Sequence, residues 1–152
     1  MAAGMAAGAC EAAFKYTKER IQFKKPVAGF QLIQAKLVRC VALASQSVLL
    51  CMHITRMYED SIKANNPIPI GRIAMAKAEC TRNCREVCQL ARESMGGNGI
   101  QLENQAMKVL CDIEAIHTYE GSHEINTLVA GREMTGLAAF KWYLIYKYLR
   151  ML

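Results

Sequence analysis

The scarcity of proline is the feature that most limits this fold. The 152-residue chain contains only three prolines, and two of them lie in one short segment. Pro67 and Pro69 interrupt the sequence at "NNPIP", and Pro26 interrupts it near the beginning. Proline ends or kinks a helix, so the long stretches between these positions are free to be helical. No segment shows a strand pattern. The sequence therefore predicts an all-α fold, an antiparallel four-helix-type bundle with additional short helices.

Turn residues and apolar periodicity indicate where the helices lie. We expect them at about residues 2–21, 30–63, 70–95 and 103–112, and from residue 122 onward. Apolar residues cover much of the circumference of the second helix, which predicts burial on more than one side. We divide the chain into a helical domain, residues 1–139, and an aromatic tail, residues 140–152, "FKWYLIYKYLRML".

Charge narrows the class of function. The formal net charge is +6 and the sequence pI is about 9.0, which suits nucleic acid, a membrane surface or an anionic ligand. The basic residues are scattered, with no run longer than Lys24–Lys25, so we do not expect nucleic-acid binding. No uncharged run reaches the length of about 18 residues that a membrane-spanning helix needs, so we expect no transmembrane segment. Anionic small molecules remain as ligands.

The cysteines favour a reducing compartment. Their number, seven, is odd, and residues 1–13 do not resemble a secretory signal, so we expect free thiols. Three of them recur every four residues and share one helix face, as small apolar side chains that pack together would. A zinc site would need close C-x-x-C pairs and a fourth ligand, so no metal is predicted. The three are Cys80, Cys84 and Cys88.

The segment 116–126, "IHTYEGSHEIN", combines several polar side chains at a point where the helical pattern breaks. Glu120 precedes Gly121, and a new apolar run follows. From residue type alone, Glu120 is interpreted as a solvated charge at the end of a loop. A metal site formed with His117 and His123 is not favoured, because the H-E-x-x-H spacing is missing.

Three stretches resemble one family. "TYEGSHEIN" is similar to the catalytic stretch of the acyl-CoA dehydrogenases and acyl-CoA oxidases, and "ERIQFKKPVAGFQ" and "ESMGGNGI" match two more of its motifs in the same order. The resemblance covers about residues 2–140 and is closest to glutaryl-CoA dehydrogenase and the peroxisomal short-chain acyl-CoA oxidases. It implies FAD-dependent introduction of an alpha-beta double bond into an acyl-CoA thioester. The family's catalytic base is the matching glutamate, so Glu120 is expected to remove the alpha proton while FAD accepts the hydride.

The resemblance implies further site residues. An arginine of the family meets the FAD pyrophosphate, usually across a subunit boundary, and Arg20 matches it. The other expected cofactor-binding residues are Phe23, Gln31, Gly96, Gly97, Ser122, His123 and Glu124. The last three begin a helix, whose N-terminus favours phosphate. The expected substrate-side residues are Tyr119, Gly121 and Phe140.

Each of these positions has a plain alternative when it is taken singly. Arg20 could be a solvated helix end, Phe23 and Phe140 could be core residues, and Gly96 with Gly97 could be a helix C-cap. The sequence also departs from the family, which usually has glycine after the phenylalanine, where this chain has Lys24. It is the presence of three motifs in order that favours the functional interpretation.

Length separates two hypotheses. Complete family members carry an N-terminal helical domain and a middle β-domain, and this chain resembles only the C-terminal helical third. We expect it to belong to an FAD-dependent enzyme and to be inactive without those domains. The alternative is a non-catalytic helical oligomerisation or interaction module, or a truncated product that keeps only the fold.

The resemblance also implies partners and a location. We expect a homodimer or homotetramer, an acyl-CoA substrate, and an electron-transfer flavoprotein or oxygen as electron acceptor. The location is expected to be intracellular, peroxisomal or mitochondrial. The C-terminus, Arg150-Met151-Leu152, only loosely matches the S-K-L peroxisomal signal.

Overall fold

Three long helices form the body of the computed structural model, which describes residues 1–139. They are α1 (Ala2–Glu19), α2 (Gln31–Lys63) and α3 (Ile70–Ser94). Two shorter helices follow, α4 (Ala106–Thr118) and α5 (His123–Thr135), and α3 contacts all four other helices. The predicted all-α bundle is confirmed.

The core lies where α1, α2 and α3 meet, and small residues let these helices approach closely. On α1 the fully buried residues Ala6, Ala9 and Ala13 recur at helical spacing, as do Cys84 and Cys88 on α3. Such residues have little side-chain volume, so the packed backbones come close together. α3 is therefore the central helix, and it positions the elements on either side of it.

The cysteines pack as expected, and all seven are free. Cys80, Cys84 and Cys88 are buried on α3. Burial raises the pKa of Cys80 to about 12 and that of Cys40 on α2 to about 12, so both thiols are protonated near neutral pH. In that form they behave as small apolar side chains.

A two-stranded hairpin follows α1, so the expectation of no strands was wrong. Strand β1 (Ile21–Gln22) pairs antiparallel with β2 (Lys25–Pro26). The two residues between them, Phe23 (φ 49°) and Lys24 (φ 65°), are both left-handed, which is the geometry of a type I′ turn. Strands of two residues are too short to show alternation, and Phe-Lys is not the usual Asn-Gly signal. The first helix therefore ends at Glu19 rather than at residue 21.

Helix α2 buries one side within the chain, and the prediction of burial on more than one side is wrong for the chain by itself. Its buried residues are Leu37, Cys40, Leu43, Ala44, Ser47 and Ile54. Another side is apolar and exposed, with Leu32, Val38, Val41, Val48, Leu49 and Met52. These six residues keep between 40% and 80% of their surface exposed within residues 1–139. α2 is also long and apolar enough to cross a membrane by length and composition, a test that core helices of bundles pass too.

The second half of the chain differs from expectation at one helix. The short helix expected at 103–112 begins at Ala106 and continues to Thr118, so "IHT" forms its last turn. A short 3₁₀ helix, Leu102–Asn104, takes the place of its expected first residues. The aromatic tail and Phe140 lie outside the described residues, so the expectations placed on them stay predictions.

Candidate functional site

The segment between α4 and α5 is a sharp reversal that carries Glu120. Tyr119 ends α4 in an extended conformation, and Ser122 begins α5 in another. Between them Glu120 (φ 56°) and Gly121 (φ 89°) are both left-handed. A glutamate in this region is uncommon and costs about 1 kcal/mol, so the surrounding structure must hold it there. The Glu120 side chain is exposed on the outside of the reversal.

Asn126, a buried residue of α5, holds the reversal. Its Nδ2 lies 3.3 Å from the carbonyl oxygen of Glu120, 2.7 Å from that of Gly121 and 3.0 Å from that of Ser122. A Cβ on Gly121 would lie 2.8 Å from the same nitrogen. Glycine is therefore required at position 121 both for its φ and for the close approach of Asn126.

Lys77 of α3 also holds the reversal, and it shares the Gly121 carbonyl oxygen with Asn126. Its Nζ donates to the carbonyl oxygen of His117 at 2.9 Å and to that of Gly121 at 2.6 Å. Desolvation between α3 and the reversal lowers the pKa of Lys77, and the nearby Glu120 charge opposes that shift. Neither Lys77 nor Asn126 was identified from the sequence. Asn126 had a signal, a polar residue inside the quoted segment, whereas Lys77 belongs to no motif.

Two histidines stack beneath the reversal, with ring centroids 5.9 Å apart. His117 Nδ1 lies 2.9 Å from Thr81 Oγ1, and burial is the main cause that lowers the pKa of His117. His123 Nδ1 is buried and has no hydrogen-bond partner among residues 1–139. A buried polar atom without a hydrogen bond costs free energy. A hydrogen bond to His123 Nδ1 from a group outside the described residues would therefore stabilise the protein.

Ser122 is the N-cap of α5. Ser122 Oγ accepts from the Ile125 amide at 3.4 Å and donates to Glu124 Oε2 at 2.8 Å. Hydrogen bonds from its own amide and from Ser122 lower the pKa of Glu124. Ser122, His123 and Glu124 thus meet at one helix N-terminus, where the first amides and the helix dipole favour an anion.

A cavity of about 430 Å³ lies at the other end of α3, between α1, the hairpin and the start of α2. It brings together three residues that the sequence predicts for FAD. These are Arg20, Gly96 and Gly97, and the other lining residues are Tyr16, Gln22, Val27, Ile33, Glu93, Ser94, Met95 and Asn98. Phe23 and Gln31 do not line it: both are exposed, and the Phe23 ring meets Phe30 edge-on at 6.0 Å.

The charge in this cavity favours an anion. Glu93 pairs with Lys36 at 2.8 Å, and that hydrogen bond is the main cause that lowers the pKa of Glu93. Arg20 forms no ion pair within the described part of the chain. Lys36 thus neutralises the carboxylate of Glu93. The guanidinium of Arg20 is then the charge that remains to face a ligand.

The glycines of "GGNG" have different roles. A Cβ on Gly97 would meet no atom within 4 Å, so the chain's own packing does not require glycine there. Gly96 (φ 59°) is left-handed. Gly99, which the sequence analysis did not select, is buried, and a Cβ there would lie 2.1 Å from the carbonyl oxygen of Arg92. A Cβ on Gly96 would also meet no atom within 4 Å, so both of these cavity-lining glycines leave open space, and Gly97 does so without a left-handed backbone.

Residues Gly96–Ile100 form a 3₁₀ helix, and Asn98 secures it to α1. Its Nδ2 donates to the Tyr16 hydroxyl at 2.6 Å, and its carbonyl oxygen accepts from Asn104 Nδ2 at 2.7 Å. Sequence reasoning missed both Asn98 and Tyr16. They are 82 residues apart, and no local pattern marks their contact.

The predicted site residues therefore fall into two groups at opposite ends of α3. Lys77 contacts the reversal, Ser94 lines the cavity, and the 17 residues from one to the other, at about 1.5 Å each, span about 25 Å. None of the residues 119–124 lines the cavity. One chain thus has two separate surfaces whose charge favours an anion, one at the N-terminus of α5 and one beside Arg20.

The sequence profile of the acyl-CoA dehydrogenase C-terminal domain matches residues 1–135, and the chain belongs to this family. The resemblance inferred from the sequence is confirmed.

Similar proteins agree with this assignment. Acryloyl-CoA reductase (NADH) of Anaerotignum propionicum is 32% identical over 88% of this chain and 32% of its own length. Cyclohex-1-ene-1-carbonyl-CoA dehydrogenase of Geobacter metallireducens is 28% identical over 88% of this chain and 34% of its own. The glutaryl-CoA dehydrogenase of Mycobacterium smegmatis, solved in complex with FADH2, is 31% identical with a TM-score of 0.84 over 92% of this chain and 35% of that one. This chain spans about a third of the length of the curated relatives it matches.

Proposed function

We propose that this chain is the C-terminal α-domain of an FAD-dependent acyl-CoA dehydrogenase or oxidase and that Glu120 is its catalytic base. The observation that carries the proposal is the reversal at 119–122, where Glu120 has no ion pair among residues 1–139 and lies on a backbone fixed by contacts from α3 and α5. A fixed backbone limits where a carboxylate can lie, and proton abstraction depends on that position.

The residues of the reversal suit the reaction. Glu120 would take a proton from the carbon alpha to the thioester carbonyl, and Gly121, with no side chain, lets Asn126 pack against the reversal that carries Glu120. FAD, when bound, supplies the hydride acceptor for the beta carbon. Tyr119, 46% exposed, is free to contact the substrate on the other side of Glu120.

The two separate surfaces fit FAD if each cofactor is bound between two subunits. The N-terminus of α5, with the unpartnered His123 Nδ1, would hold the phosphates of the cofactor that serves Glu120 of the same subunit. Arg20 and Gly97, about 25 Å away along α3, would meet the cofactor of a neighbouring subunit. The exposed apolar side of α2 supports a homodimer or homotetramer, because such a side normally buries against a partner.

The finer parts of the proposal follow the family. The substrate is an acyl-CoA thioester, and the electrons pass to an electron-transfer flavoprotein or to oxygen. The location is intracellular, peroxisomal or mitochondrial. A reporter fused to the last 13 residues tests the location, and a diffuse cytosolic signal would contradict a self-sufficient peroxisomal address.

Flavin absorbance tests the proposed function. The complete enzyme, with the family's N-terminal and β-domains in place, should be yellow after purification and should bleach when an acyl-CoA from a panel of short-chain thioesters is added without oxygen. The 152-residue chain by itself should hold little FAD and show no turnover. A complete protein that stays colourless when FAD is supplied would favour the alternative, a helical interaction module without chemistry.

A further inference from the structure

Glu120 and Gly121 are held in a conformation that their own chemistry does not favour. Both residues are left-handed, and glutamate has no intrinsic preference for that region. The conformational preference of Glu120 therefore does not explain the reversal. Contacts from other helices must hold it, since such strain persists only where surrounding structure fixes it.

Lys77 provides the contacts that bracket Glu120. Its ammonium donates to the carbonyl oxygen of His117, three residues before Glu120, and to that of Gly121, directly after it. One rigid point on α3 therefore spans the residue that carries the carboxylate. The cation also lies at the C-terminal end of α4, where the helix dipole favours positive charge.

The Lys77 ammonium donates to main-chain oxygens and not to the carboxylate of Glu120. The ion pairs among residues 1–139 do not include Lys77 with Glu120, although Glu120 is near enough to favour the charged lysine. Partial burial lowers the pKa of Lys77, so its charge is kept at some cost. A solvated surface lysine would have neither the two short contacts nor this burial. The arrangement fixes the backbone of Glu120 and leaves its carboxylate free to react.

We propose that Lys77 is a positioning residue for the proton abstraction, acting through the backbone of residues 117–121. This inference rests on the proposed role of Glu120. It assigns to Lys77 no contact with substrate or cofactor. Asn126 holds the same turn through three carbonyl oxygens, so the loss of Lys77 should loosen the reversal without unfolding the bundle.

The test combines a structural and a kinetic readout. The variants are Lys77→Met, which keeps the length and apolar stem, and Lys77→Arg, which keeps a cation that can donate to both carbonyls. The control is Lys108→Met, an exposed lysine of α4 that pairs with Asp112 on its own helix. Backbone NMR of the 152-residue chain reads the conformation of Glu120 and Gly121 without any activity.

We expect Lys77→Met to shift and broaden the amide signals of residues 117–122 while the core signals stay in place. In the complete enzyme it should lower kcat by about 100-fold with KM within about twofold, since a misplacement of about 1 Å costs about that much. Lys77→Arg should restore most of kcat, and Lys108→Met should match wild type. If Lys77→Met does not fold, Lys77→Gln replaces it in both measurements.

Two results would overturn the role of Lys77: unchanged NMR signals for residues 117–122, or wild-type kcat in Lys77→Met of an active enzyme. A wild-type enzyme that fails to oxidise any acyl-CoA would instead reject the proposed function, while the NMR comparison would still decide whether Lys77 fixes the reversal.

Discussion

A Cβ built on Gly99 lies 2.1 Å from the carbonyl oxygen of Arg92, whereas one on Gly97 meets no atom within 4 Å. The chain's own packing thus requires glycine at position 99 but not at position 97. Gly99 lets the 3₁₀ segment pack against the end of α3. At Gly97 the chain itself leaves space for a side chain. That space belongs to the cavity that Arg20 also lines.

Alanine substitutions should separate these roles. Gly99→Ala should lower the free energy of unfolding by about 1–3 kcal/mol, because backbone must move to admit the methyl group. Gly97→Ala should change it by less than about 0.5 kcal/mol. In the complete enzyme, Gly97→Ala should weaken FAD binding about tenfold or more, or about 1.4 kcal/mol. Urea unfolding and FAD titration measure both, and normal FAD affinity in Gly97→Ala would contradict a cofactor contact there.

The hairpin turn gives a second prediction. Lys24 has φ 65° at the position where the family usually has glycine, and a non-glycine residue there is strained by about 1 kcal/mol or more. Lys24→Gly should therefore raise the free energy of unfolding by about 0.5–1 kcal/mol. Lys15→Gly, at an exposed position inside α1, is the control and should lower it by about 1 kcal/mol. A loss of stability in Lys24→Gly would mean that the turn does not have this geometry.

The exposed side of α2 gives a third. The chain should form a dimer or tetramer at micromolar concentration, and Leu49→Glu should weaken it towards monomer because a charge would enter the apolar contact. Leu102→Glu is a matched control, since Leu102 is 61% exposed and Leu49 is 65% exposed. Size-exclusion chromatography with light scattering measures the mass. A monomeric wild-type chain, or equal effects of the two variants, would count against an interface on α2.

Prolines, glycines and apolar spacing were enough to predict the bundle, because helix ends depend on local chemistry. The same reasoning missed the hairpin, where Phe23 and Lys24 adopt left-handed conformations that neither residue signals. It also predicted that α2 is buried on more than one side, whereas the described chain buries one. An apolar pattern does not distinguish burial inside a chain from burial against a partner.

The candidate site was predictable where a motif is continuous and not where a contact spans the fold. Glu120 and the cap residue Ser122 lie in one short segment whose residue types match a family. Lys77 is 44 residues from the carbonyl oxygen of Gly121 that it contacts, and nothing in its neighbours along the chain marks it. The separation of the two predicted groups of FAD residues likewise needs the length of α3, which only the structure gives.

The central claim is that Glu120 removes the alpha proton, and Glu120→Gln tests it most directly. The carboxamide keeps the size of the side chain. The contacts that fix the reversal involve the main-chain oxygen of Glu120 and not its side chain, so folding and FAD binding should survive. Glu124→Gln, on the first turn of α5, is the control and the next candidate base. The measurement is the rate of flavin reduction by acyl-CoA in the complete enzyme. The account predicts a loss near the upper end of about 10²–10⁴-fold for Glu120→Gln and a rate within about threefold of wild type for Glu124→Gln; near-normal flavin reduction by Glu120→Gln would contradict it.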